Sequence, residues 1–201
     1  PSDSNANFAW MQHMIHHLAP GGKIGMVLAN GSLSSQSNGE GAIRKNIVEA
    51  DLVEGIVAMP SQLFYTAQIP VALWFLSRDK KRKGKTLFID ARKMGTMVTR
   101  KLREFTEEDI QKIADTFDAF REGVLEDVKG FCSVASLEDI ARQDHILTPG
   151  RYVGIEEQED DGEPFEEKMA RLTSELSEMF VRSRELEEEI RNRLGAIGFE
   201  V

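Results

Sequence analysis

Lys23-Ile-Gly-Met-Val-Leu-Ala29 carries a charged side chain only at its first position. A strand without polar alternation is expected to be buried on both faces, as in the parallel sheet of an α/β protein. Two comparable runs follow, Leu52–Met59 (LVEGIVAM) and Val71–Leu76 (VALWFL). Upstream, Phe8, Met11, Met14, Ile15 and Leu18 recur at helical spacing, which predicts an amphipathic helix over residues 5–18. Pro20-Gly21-Gly22 ends it. Asn30–Gly41 is rich in Gly, Ser and Asn and reads as a loop. Ala42–Ala50 reads as a second helix, with Ile43 and Ile47 inward, and Pro60–Pro70 as a connection. The order helix–strand–helix–strand–strand predicts an α/β sheet with an edge hairpin.

Beyond the hairpin, a basic turn Asp79–Lys85 leads into a strand over Thr86–Asp90, and residues 91–104 read as irregular. Thr106 followed by Glu107, Glu108 and Asp109 is an N-cap with acids in the first turn, so a helix runs to about Glu122. Ser136 with Asp139 three residues on caps a short helix to about Gln143. The acidic run Glu156–Glu163 reads as a linker. In Phe165–Leu194, Phe165, Met169, Leu172, Leu176, Met179, Leu186 and Ile190 mark a heptad seam interrupted at Ser183. A helix of that length spans about 45 Å, longer than a small domain is wide. Part of its stripe is expected to need a partner, the alternative being packing on its own domain. The expected units are residues 1–104, 105–155, 156–164 and 165–201.

The net charge of -9 is uneven: residues 151–201 hold 15 Asp/Glu against 7 Lys/Arg. Such a tail should repel nucleic acid. Between Arg78 and Arg103 there are eleven Lys/Arg and two Asp/Glu. That zone is either a solvated basic loop or a phosphate-contacting surface. The single cysteine, Cys132, excludes an internal disulfide and a thiolate zinc cluster, and a reducing cytoplasm is the expected compartment. No apolar run approaches the roughly 18 residues that a membrane span needs. Pro1-Ser2-Asp3-Ser4, with no initiator Met, reads as the start of an excised or processed chain.

Several separated strings resemble the modification subunits of type I restriction–modification systems. They are NANFAWMQHMIHHLAPGGK from Asn5, Val27-Leu-Ala-Asn-Gly-Ser32, Glu40-Gly-Ala-Ile-Arg-Lys45, Leu63-Phe-Tyr-Thr-Ala-Gln-Ile-Pro70, Lys85-Thr-Leu-Phe-Ile-Asp-Ala-Arg92 and Leu147-Thr-Pro-Gly-Arg-Tyr-Val153. The resemblance covers nearly the whole chain in the family's order. It implies the C-terminal half of a class I, Rossmann-like methyltransferase sheet with an antiparallel edge hairpin, followed by a helical extension. It also implies transfer of a methyl group from S-adenosylmethionine to adenine N6 in DNA. The implied partners are DNA and the specificity and restriction subunits of the same system. The family's cofactor-binding glycines and Asn-Pro-Pro-Phe loop lie upstream of the segment at Asn5, and no Asn-Pro-Pro string occurs here. The chain alone is therefore expected to be inactive, with no cofactor bound. An exposed half-sheet could also self-associate. The alternatives are a non-enzymatic interaction module, or a methyltransferase acting on RNA or protein.

Methylating adenine N6 requires the base to leave the helix, and an aromatic face offsets part of that cost by stacking. In such enzymes the resemblance places the stacking ring just before the antiparallel strand, where Phe64 stands, with Tyr65 as its neighbour. Asn30 follows a buried strand at its carboxyl end, where ligand crevices of open α/β sheets sit. Phe64, Tyr65 and Asn30 are the expected base pocket, and Lys80, Lys81, Arg82 and Lys83 the expected contacts to the DNA backbone. His13, His16 and His17 share a helix face but read as a surface patch. Trp10 and Trp74 read as core residues, and Met11, Met14, Met26 and Met59 fall at apolar positions.

Overall fold

A computed structural model describes residues 5–155, 164–196 and 198–199. Pro1–Ser4 and the acidic run Glu156–Glu163 lie outside the described residues. The elements are α1 (Asn7–His17), β1 (Lys23–Ala29), α2 (Glu40–Glu49), β2 (Val53–Ala58), β3 (Val71–Ser77), β4 (Lys85–Asp90), β5 (Thr96–Met97), β6 (Arg103–Glu104), α3 (Glu107–Glu122), β7 (Cys132–Ser136), α4 (Leu137–Arg142) and α5 (Phe165–Ala196).

Five strands form a mixed sheet in the order β1-β3-β2-β4-β7. β3 is antiparallel to both β1 and β2, and β2 is parallel to β4. The hairpin β2–β3 therefore inserts β3 between two strands that run the same way. β1, β2 and β4 end at one edge of the sheet, its carboxyl end.

One face of the sheet is covered by Phe8 and Met11 of α1, Ile47 and Val48 of α2, and Ile140 of α4. The other is covered by Phe117 and Phe120 of α3, packed on Val57, Leu87 and Ile89. Gly55 of β2 permits that approach, because a β-carbon there would stand 2.6 Å from the Phe117 ring. Gly123 ends α3 in the left-handed region at φ 83°.

The expectation of a β1 buried on both faces is corrected. Ile24 and Leu28 are buried, but Val27 is 51% exposed. β1 is the outer strand, and the second apolar cluster includes no residue of it. The apolar run KIGMVLA thus marks an edge strand covered on one side only.

Other readings change too. Asn30–Leu33 and Ser37–Gly39 are short 3-10 turns within the expected loop. Residues 91–104, expected to be irregular, contain the antiparallel pair β5–β6. Cys132–Ser136, not foreseen as a strand, pairs antiparallel with β4. Residues 105–155 are therefore not a separate helical extension: one compact unit covers 1–157, and α5 lies in a second, 158–201. CSVAS offers no continuous apolar run, and only pairing with β4 makes it a strand. Trp74 is fully buried, but Trp10 is 58% exposed, and Met14 is also exposed. Both capping boxes form, Thr106 with Asp109 and Ser136 with Asp139.

Candidate functional site

The carboxyl end of the sheet gathers the loops that follow β1, β2 and β4. The Asn30 N–H donates to the Pro70 carbonyl at 3.3 Å, and the Met59 N–H to the Val71 carbonyl at 2.9 Å. The Ala91 N–H donates to the Ala58 carbonyl at 2.9 Å. Asn30 is thus tied to the end of the loop that carries Phe64 and Tyr65. Its Oδ1 is buried and has no hydrogen-bond partner among the described residues. A buried acceptor left in that state costs about 1–3 kcal/mol, which favours a polar neighbour at this place.

Phe64 is 41% exposed and Tyr65 85%, so both rings lie at the surface. Beneath them Leu63 packs on the cluster that holds Met59 and Ala91. The loop is braced from the segment after β4. The Arg103 N–H donates to the Gln62 carbonyl at 2.8 Å, and Gln62 Nε2 donates to the Arg100 carbonyl at 3.4 Å. Gln62 itself sits at φ 67°, a conformation uncommon for a side chain with a β-carbon. A surface cleft of about 350 Å³ between α1 and α2 is lined by Gln12, Ile15, His16 and Ile43 among others, and shares no residue with this site.

A buried guanidinium holds the turn after β1. Arg44 of α2 is fully buried. Its Nε donates to the His145 carbonyl at 2.8 Å, and its terminal nitrogen donates to the carbonyls of Ser35 at 2.7 Å and Ser32 at 3.4 Å. Burial lowers the Arg44 pKa, while the nearby Glu40 carboxylate acts against that. Trp74 Nε1 donates to Ser32 Oγ at 3.2 Å, and the Leu147 N–H to the Leu33 carbonyl at 2.9 Å. The string Glu40–Lys45 contained this arginine, but spacing on a helix cannot reveal that its partners come from residues as distant as 145.

The family whose model matches residues 1–161 is the N-6 DNA methylases. The chain belongs to the N-6 DNA methylase family. It is 59% identical over its full length to the type I restriction enzyme HindI methylase subunit of Haemophilus influenzae, of which it spans 45%. It is 46% identical to the MjaIX methylase subunit of Methanocaldococcus jannaschii, over 99% of this chain and 36% of that protein. A crystal structure of a type I methyltransferase subunit from Streptococcus thermophilus is 30% identical, with a TM-score of 0.68 over 76% of this chain and 31% of that one. The chain therefore spans less than half the length of these relatives. The fold is the one that the family implies: an α/β arrangement with an antiparallel hairpin and a C-terminal helix.

Within this methylase fold the expected DNA-backbone residues do not meet the expected pocket. Lys80–Lys83 lie between the end of β3 and the start of β4, at the amino end of the sheet. Asn30, Phe64 and Tyr65 lie at the carboxyl end. Lys80 is 3% exposed, and its ammonium pairs with Asp51 at 2.5 Å. Asp51 Oδ2 also accepts the Gly84 N–H at 2.8 Å. Lys80 is thus the internal clamp of a tight turn, not a phosphate contact, and burial lowers its pKa against the pull of Asp51. Arg82 is half-buried against the Phe120 ring, 5.8 Å from its centre. Lys81 and Lys83 remain exposed. Charge counting could not separate these roles, because a lysine in a turn and a lysine on a surface look alike in sequence.

The histidines of α1 meet edge to face, His13 with His17 at 4.4 Å and His16 with His17 at 5.1 Å between ring centres.

Proposed function

We propose that this chain forms the carboxyl-terminal part of the methylating subunit of a type I restriction–modification system. In this reading the complete subunit transfers a methyl group from S-adenosylmethionine to adenine N6 in duplex DNA. The observation that carries it is the aromatic pair Phe64 and Tyr65, exposed on a loop tied to Asn30 at the carboxyl end of a methylase sheet. A purine swung out of the duplex loses its stacking neighbours, and a surface ring restores one. Asn30 Oδ1 is an acceptor suited to an amino group nearby.

The residues of this chain do not by themselves make a site for S-adenosylmethionine. Among the described residues, Asn30 Oδ1 is the one buried side-chain acceptor without a partner, and no carboxylate accompanies it. One amide oxygen is too little to fix a sulfonium nucleoside. In this reading the cofactor's contacts come from other residues of the complete subunit. What this chain supplies is a wall for the base and a scaffold that keeps that wall in place. Alignment of the two reacting groups is the main source of rate in such a transfer.

The second part of the proposal concerns α5. No residue of this helix is buried, and Phe165, Met169, Leu172, Leu176, Met179, Leu186 and Ile190 are exposed along it. Phe180 widens the stripe. A seam of this length suits pairing with helices of the specificity subunit. The restriction subunit and duplex DNA are the further partners, in a cytoplasmic assembly. The chain by itself is inactive and prone to self-association through its uncovered β1 face.

The deciding experiment replaces Phe64 by Ala in the complete subunit with its specificity partner. Methylation of duplex DNA falls while cofactor affinity is retained. An unchanged rate removes Phe64 from the base pocket.

A further inference from the structure

We infer that the segment Arg92–Arg103, and not the turn Lys80–Lys83, is the surface that carries the phosphates of duplex DNA. This rests on the reading of Phe64 and Tyr65 as a pocket for an extruded base.

Three observations support it. The first is position. The segment leaves β4 at the carboxyl end, where the Ala91 N–H donates to the Ala58 carbonyl. It returns against the aromatic loop through the bonds of Arg103 and Arg100 to Gln62, two residues before Phe64. An extruded nucleotide stays bonded to its two flanking phosphates, so a pocket for it needs cations close by. The turn at Lys80 is a whole strand away, about 20 Å for six or seven residues.

The second is charge. Residues 91–104 contain five Lys/Arg (Arg92, Lys93, Arg100, Lys101 and Arg103) against one acid, Glu104. Arg92 is engaged by Asp90, with 2.5 Å between Nη2 and Oδ2, and Arg103 donates to the Met94 and Gly95 carbonyls. Arg100 and Lys101 are exposed at the tip and form no ion pair among the described residues. The acids of the following helix begin only at Glu107, and Asp109 is committed to capping it.

The third is shape. β5 and β6 form a hairpin whose tip is ordered by Thr99, whose Oγ1 accepts the N–H groups of Lys101 at 3.2 Å and Leu102 at 3.0 Å. The Val98 N–H donates to the Leu102 carbonyl at 2.9 Å. The tip therefore presents Arg100 and Lys101 on a fixed turn beside the exposed apolar side chains of Met97 and Val98. A two-stranded ribbon of this kind fits the backbone and groove of a duplex. An acidic protein surface would satisfy the charge but would have no reason to lie next to the base pocket.

The test uses the complete methylase subunit with its specificity partner, titrated into labelled duplex DNA over a range of potassium chloride concentrations. Replacing Arg100 and Lys101 together by Ala weakens binding. It also flattens the slope of log affinity against log salt by about 1.8, since each lost phosphate contact is worth roughly 0.9. Arg100→Lys keeps the slope. The pair Lys81→Ala with Lys83→Ala, at the other end of the sheet, leaves it unchanged. A hairpin variant whose slope equals that of the unsubstituted complex overturns the inference, as does a loss confined to the Lys81 and Lys83 variant. A slope that depends on the hairpin while Phe64→Ala methylates normally supports the hairpin and overturns only the pocket. A complex with no affinity for duplex DNA overturns both.

Discussion

The backbone N–H of Arg103 donates to the carbonyl of Gln62 at 2.8 Å, joining the segment after β4 to the loop that presents Phe64 and Tyr65. The Arg103 guanidinium continues the brace by donating to the Met94 and Gly95 carbonyls at 3.1 and 2.8 Å. Two loops far apart in sequence are thereby held as one surface.

Arg103→Ala leaves those two carbonyls without their donor, at a cost of about 1–3 kcal/mol. The expected outcome is faster amide exchange in residues 94–104, measured by hydrogen–deuterium exchange, with little change in the sheet or in residues 60–70, whose bond to the Arg103 backbone N–H is kept. Equal protection in both proteins would show that the guanidinium is no brace.

Phe64→Ala should slow duplex methylation by the complete subunit roughly 5- to 150-fold, the equivalent of about 1–3 kcal/mol of lost stacking. Tyr65→Phe should have little effect, because it keeps the ring. Single-turnover kinetics with saturating cofactor separates the two. A larger loss for Tyr65→Ala than for Phe64→Ala would transfer the stacking role to Tyr65, the more exposed ring.

Arg44→Met removes donors from three carbonyls, those of Ser32, Ser35 and His145, within a buried setting. The loss should be large, roughly 3–5 kcal/mol, since charged hydrogen bonds and buried unpaired groups both contribute. Urea unfolding should show a lower midpoint with an unchanged slope. A midpoint within error of the parent would mean that the turn after β1 is held by Trp74 and Leu147 alone.

Ser136→Ala removes the N-cap of α4, where the Asp139 N–H donates to Ser136 Oγ and the hydroxyl donates to Asp139. A cap of this kind is worth about 0.5–2 kcal/mol. The hydrogen bonds from Ser136 hold the Asp139 carboxyl below its ordinary value of 3.8. Because the folded value is the lower one, the contribution of the ionised carboxylate is complete above pH 3.8 and is lost as pH falls through the folded value. The stability gap between parent and variant should therefore be constant at neutral pH and narrow on acidification, by urea unfolding at a series of pH values. A gap independent of pH down to acid unfolding would remove Asp139 from the cap.

Leu176→Asp with Met179→Asp places charge on the exposed seam of α5. Association of the complete subunit with the specificity subunit should weaken by about two orders of magnitude or more, as two buried apolar side chains contribute about 1.5–3 kcal/mol each. Calorimetry of the pair measures it. An unaltered affinity would reject the docking role.

By itself the sequence determined the local elements. Thr106 with Asp109 and Ser136 with Asp139 fixed two helix starts, and the 3.6-residue spacing of Phe8 and Met11 fixed a buried face. Hydrogen bonds within four residues and a repeating apolar pattern are written locally, so they are readable locally. The separated strings, from Asn5 to Val153, also identified the family. Only the tertiary structure decided which strand lies at the edge, because the KIGMVLA run has the same letters with one covered face or two. It also drew CSVAS into the sheet through the partner strand β4, and it divided the basic residues between the two ends of the sheet. Lys80 and Lys101 are both lysines in turns. One is buried on Asp51 and the other stands in solvent beside the aromatic loop, a difference set by strand direction and by partners remote in the chain.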